Sequence, residues 1–141
     1  MLQQFLVEVA ADANDHRTFA SVTATDERSA LEIFLRTYAP TDRIFLDYLY
    51  RTSINLSFAE YFWIETDQDM EQFEQGTLHV SDELFAARVN RFFGAHRDYA
   101  DLYLTYYLND AERPSFPPEM LAYIWLESGY GAGEITVTPV S

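Results

Sequence analysis

Apolar residues alternate with polar ones at both ends of the chain and recur at helical spacing between them. In residues 3–10, Phe5, Val7 and Val9 alternate with Leu6 and Glu8, and in residues 18–24, Phe19, Val22 and Ala24 sit in a β-branched setting. Both stretches predict strands. The polar, turn-rich segment 11–17 between them predicts a hairpin with a loop longer than two residues. At the other end, residues 134–139 predict a strand through Ile135 and Val137 that pairs with the hairpin.

The interior reads as helices. Thr25-Asp26-Glu27 is a helix start with acids in the first turn, and Ala30, Leu31, Phe34 and Tyr38 follow on one face until Pro40 ends it. Glu32 and Arg36 form an i,i+4 pair in the favourable order. Thr41-Asp42 offers an N-cap for a helix over 43–51, with Ile44, Phe45, Tyr48 and Leu49 inward. Residues 53–58 alternate like a strand, yet Ser57-x-x-Glu60 is a capping box, so 58–65 fits strand or helix. Thr66-x-x-Asp69 caps a short helix over 67–75, which Gly76 terminates. Ser81-Asp82-Glu83 starts a longer helix with Phe85, Val89, Phe92, Phe93 and His96 on one face. Residues 98–109 carry a stripe of Tyr99, Leu102, Tyr103 and Tyr106. After a loop, Pro117 and Pro118 suit the first turn of a last helix that buries Met120, Leu121, Ile124 and Trp125 and stops at Gly129. The pattern predicts an α+β fold, a small antiparallel sheet built from the two ends of the chain with several central helices. A length of 141 residues predicts a single domain over 1–141.

Composition supplies a core and removes several chemistries. Apolar residues make up 48% of the chain and aromatics 16%, enough for large rings to dominate the interior. The absence of Cys excludes disulfides, thiolate nucleophiles and Cys-type zinc sites. No signal peptide is legible, and the longest apolar run, 120–126, is far below the roughly 18 residues of a membrane span. These features predict a soluble, cytoplasmic protein that avoids membranes.

Charge alters the picture most. The net charge is −14, from 23 acids and nine bases, all of them Arg. Residues 52–87 hold eight acids and no base, whereas 88–97 hold three Arg and no acid. An even solubility coat would not be distributed this way. The densest part is 60–74, with Glu60, Glu65, Asp67, Asp69, Glu71 and Glu74, and with Tyr61 and Trp63 inside it. In a strand, the acids from Glu65 to Glu71 would share one side at a spacing of about 6.6 Å. In a helix, Asp67, Glu71 and Glu74 would be i,i+4 and i,i+3 neighbours. Such a field repels nucleic acid and anionic membrane and attracts basic surfaces.

No catalytic or cofactor signature competes with that reading. Glu65-x-Asp67-x-Asp69 resembles a calcium-loop start, but Met70 stands where Gly is required and Gly76 where the bidentate Glu belongs. The Gly-rich 129–133 lacks the Lys and the element order of a phosphate loop. His16, His79 and His96 form no metal-binding pair, although His79 with Asp82, or His96 with Asp98, has the residue types of a base and its orienter. The sequence therefore predicts no metal, no cofactor and no catalytic residue. It points to a non-enzymatic inhibitor or adaptor that binds a basic protein surface through Glu60, Tyr61, Trp63, Glu65, Asp67, Asp69, Glu71 and Glu74. In size and charge the chain resembles phage antirestriction and anti-CRISPR proteins that mimic nucleic acid, a resemblance of composition alone. It implies a DNA- or RNA-binding protein as partner and no direct contact with nucleic acid. An immunity protein that neutralises a basic toxin, and a small acid–base enzyme using paired carboxylates, are the alternatives. Reversing Glu65, Asp67, Asp69 and Glu71 to Lys is expected to leave the fold intact and abolish association.

Overall fold

Strand β1, Gln3–Val9, is the centre of an antiparallel sheet because both its edges are hydrogen-bonded. Strand β2, Thr18–Ala24, pairs on one side with Phe5 opposite Val22. Strand β3, Ile135–Pro139, pairs on the other with Val7 opposite Val137, giving the order β2-β1-β3. The computed structural model describes residues 1–10, 18–50, 58–109, 112, 114–130 and 134–140. They also include seven α-helices, so the fold is α+β, as the periodicity predicts. The chain divides into two compact units, Met1–Asp42 with Pro117–Ser141, and Arg43–Phe116.

In the first unit, the alternation of β1 and β2 puts Phe5, Val7, Val22 and Ala24 on one buried face, while Leu6 and Phe19 are exposed. Helix α1, Glu27–Tyr38, lies against this sheet and against a helix from the far end of the chain, Pro118–Ser128. Asp26 caps α1 by accepting the N–H of Ser29 at 2.7 Å, a bond that holds its carboxyl below the ordinary value. Glu32 and Arg36 pair at 2.9 Å. At Pro40 the chain tightens into a 3₁₀ turn, Ala39–Thr41. In Pro118–Ser128 the missing N–H of Pro118 falls at the first helical position, where no intrahelical partner exists for it. Met120, Leu121, Ile124 and Trp125 are buried, with Tyr38 edge-on to Trp125 at 5.9 Å. Gly129 ends the helix at φ 73°, a left-handed conformation that a side chain would strain.

The second unit is helical: α2, Arg43–Leu49; α3, Glu60–Trp63; α4, Asp67–Glu74; α5, Asp82–Phe93; and α6, Arg97–Leu108; the last helix of the chain, Pro118–Ser128, is then α7. Its core is largely aromatic. Phe58 meets Phe62 edge-on at 4.9 Å and Tyr103 at 5.2 Å, and Phe62 meets Phe85 at 5.5 Å. Each such pair adds about 0.5–1.5 kcal/mol beyond the area it buries. Ser81 caps α5 through the N–H of Leu84 at 3.1 Å. On α6, Ala100, Tyr103 and Tyr106 are buried, so the tyrosine stripe is mostly core, with Tyr99 and Leu102 at its edge.

Two expectations change, and the choice between strand and helix at 58–65 falls to helix. Ile44 is 75% exposed, not inward, because the short α2 turns only Phe45 and Leu49, one helical turn apart, fully into the core. Helix α5 closes at Gly94 (φ 58°), so His96 leaves its apolar face and stands exposed, stacked on Tyr99 at 4.8 Å. Residues 58–65 include a helical turn, Glu60–Trp63, begun at Ala59. The predicted hairpin loop 11–17, the strand-like 53–57 and the capping Ser57 lie outside the described residues.

Candidate functional site

The acidic stretch folds as two short helices joined by a sharp bend. In α3, Phe62 points into the aromatic core, and at Ile64 the backbone turns extended. Thr66 then starts α4 with a reciprocal cap: its Oγ1 accepts the N–H of Asp69 at 3.0 Å. Asp69 Oδ2 accepts the N–H of Thr66 at 3.2 Å and that of Glu65 at 3.0 Å. The other end is closed as tightly. Thr77 N–H returns to the carbonyl of Gln72 at 2.9 Å and Gly76 N–H to that of Phe73 at 3.1 Å, with Gly76 at φ 73°. Such capping at both ends suits an eight-residue helix that buries no residue completely. Thr66→Ala should therefore lower stability by about 1 kcal/mol in urea unfolding. An unchanged midpoint would show that contacts other than this cap hold α4.

Arg88 of α5 holds the bend. Its Nη1 donates to the carbonyls of Phe62 at 2.8 Å and Trp63 at 3.1 Å, groups at the end of α3 that lack intrahelical partners. Its Nε lies 3.2 Å from Glu65 Oε2, an ion pair without a hydrogen bond, and its Nη2 lies 3.8 Å from Asp69 Oδ2. The Arg88 side chain is only 11% exposed, against 32% for Glu65 and 19% for Asp69. Arg91, one turn on, also pairs with Glu65. The span without bases is thus partly neutralised in space, by the two Arg that follow it in sequence.

The eight candidate residues separate accordingly. Glu65 and Asp69 are tied to Arg88 and to the α4 cap, so reversing them to Lys would break the local fold, contrary to the expectation for the four-residue change. Asp67, Glu71 and Glu74 are exposed and share one stripe of α4, and no cation pairs with them among the described residues. Asp67 complements the helix dipole in the first turn; Glu74, in the last turn, opposes it. Glu60 sits in the first turn of α3, where burial raises its carboxyl above the ordinary value. Tyr61 is 44% exposed and lies on Phe58 at 6.1 Å. It faces a cleft shared with Glu65, Arg88 and Arg91. Trp63 faces a different one, of about 440 Å³, with Phe73, Phe85 and Tyr107 in its walls and His79 and Asp82 also lining it. The two aromatic candidates therefore line different clefts.

Sequence reasoning missed Arg88, Arg91 and this second cleft. The spacing of Arg88 and Arg91, three apart on a helix, places them on one face and is the signal that was available. Among the described residues, no group of three or more His, Asp or Glu is arranged to hold a metal ion. No helix is long and apolar enough to cross a membrane, again among the described residues. Compared with protein-family models, curated proteins and solved structures, the chain finds no match.

Proposed function

We propose that the protein works by binding rather than by turnover, as an inhibitor or adaptor whose α4 face engages a basic surface on a nucleic-acid-binding protein. The observation that supports this reading is the stripe of Asp67, Glu71 and Glu74, exposed and unpaired among the described residues, beside two acids that do have Arg partners. The fold has a cation within reach of the bend and spends it on Glu65 and Asp69. The stripe gains from the fold only the dipole term at Asp67, and it loses some of that at Glu74. Contact with a basic groove would relieve its self-repulsion and would be steered by the field.

The immobilised protein should retain basic nucleic-acid-binding proteins from a bacterial lysate, and added duplex DNA should release them by competing for the same groove. A partner that stays bound in excess DNA would favour the immunity-protein reading, with a toxin's active site as the target. In a gel shift at moderate salt, the protein itself should leave DNA and RNA unshifted, since its field opposes phosphate. Tight, saturable binding of either nucleic acid would overturn both readings.

A further inference from the structure

The cleft at Trp63 has the chemistry of a cation site. Phe85 is buried and stacks on Tyr107 at 4.6 Å and 21°, backing one wall, while Trp63, Phe73 and Tyr107 are part-exposed at the opening. Trp63 stands 6.4 Å from Tyr107 and 6.5 Å from Phe73, so rings from four segments converge on one opening. Asp82, exposed in the first turn of α5, supplies a carboxylate at the same cleft, and no Arg among the described residues lines it. Aromatic faces carry negative quadrupole charge and attract a cation laid across them. An anionic ligand would meet those faces and Asp82 together. The volume, about 440 Å³, lies within the range of ligand sites and admits one long side chain with room to spare.

We infer that this cleft receives an arginine side chain from the basic partner. The inference rests on the reading of α4 as a face for such a partner and names the part of it that is seated. Arginine fits better than lysine for two reasons. Its guanidinium is planar and weakly hydrated, so it can lie on an aromatic face. It also offers two parallel N–H groups to a carboxylate, which Asp82 can accept. Trp63 belongs to this site through its ring, while its carbonyl is held by Arg88. Phe73 belongs to it from α4, the helix that carries the acidic stripe on its outer side. The stripe would draw the partner in, and the cleft would choose among its cations.

Isothermal titration with octa-arginine and octa-lysine peptides at low salt tests this. The wild-type protein should bind octa-arginine about tenfold or more tightly than octa-lysine. Asp82→Asn and Trp63→Leu should each bring that ratio close to one. The ratio is the readout because loss of one unit charge at residue 82 weakens both peptides alike. Asp82→Asn alters no aromatic packing, and its thermal melt should fall by no more than a few degrees, about the loss of one first-turn acid, so it decides the matter if Trp63→Leu does not fold. Equal binding of the two peptides by the wild type, or a preference that survives Asp82→Asn, would overturn the cleft as an arginine site and leave the acidic face standing. Binding of neither peptide would overturn the acidic face and the cleft with it.

Discussion

Replacing Arg88 with Met should lower the unfolding free energy by about 2–3 kcal/mol, because it strands two backbone carbonyls while the part-exposed carboxylates can hydrate. The side chain is nearly enclosed, and four groups depend on it: the carbonyls of Phe62 and Trp63 and the carboxylates of Glu65 and Asp69. Met keeps much of the apolar volume of the stem, so packing changes little and the loss reports the missing charge and donors. The two carbonyls are the costliest to strand, because Asp69 keeps two backbone N–H donors at the start of α4 and Glu65 keeps Arg91. Arg91→Met is the internal control. It pairs with the same Glu65, but its side chain is largely in water, and such pairs contribute about 0–1 kcal/mol. Arg88→Lys should recover only part of the loss, since an ammonium cannot reach carbonyls and carboxylates through one planar fork. Urea denaturation of the three variants checks the order. Equal midpoints for Arg88→Met and Arg91→Met would mean that the bend is held by its rings and caps, and that Arg88 is incidental to it.

Local chemistry was legible where local chemistry decides. The caps at Asp26, Thr66 and Ser81 and the stops at Gly76 and Gly129 depend on residues within a few positions of one another, and each stands where the sequence put it. The strands were legible because one buried face imposes a period of two on Phe5 and Val7. Reading failed where a contact joins distant positions. Arg88 lies 23 residues from Glu65 and 19 from Asp69, so a charge count along the chain saw a desert where the fold has a bridge. Ile44 misled for a related reason. A two-turn helix offers an apolar residue on either side of its true face, and only packing partners choose between them. The helix at 60–63 is shorter than any periodicity can establish; Phe62, surrounded by rings, fixes it through tertiary contacts.

The same division identifies the charge reversal that isolates binding from folding. Asp67→Lys, Glu71→Lys and Glu74→Lys together should leave the protein folded and weaken octa-lysine binding by a factor of about ten to a thousand, mostly through slower association. The stability effects nearly cancel. Lys at position 67 opposes the dipole at the start of α4, and Lys at positions 71 and 74 complements it toward the end. None of the three carboxylates caps the helix or pairs with Arg88. Adding Asp69→Lys to the set should unfold the bend, which is why reversing Glu65, Asp67, Asp69 and Glu71 together would confuse lost folding with lost binding. Salt supplies an independent readout. Wild-type affinity should fall steeply as salt is raised through about 0.1 M, where the screening length is about 10 Å, while the variant's residual affinity should barely change. The neutral triple, Asp67→Gln, Glu71→Gln and Glu74→Gln, should lie between the two. If the Lys variant melts with the wild type and binds the peptide with the same rate and salt slope, the stripe on α4 is a solvated face without a partner, and the basic-surface reading loses the observation that carries it.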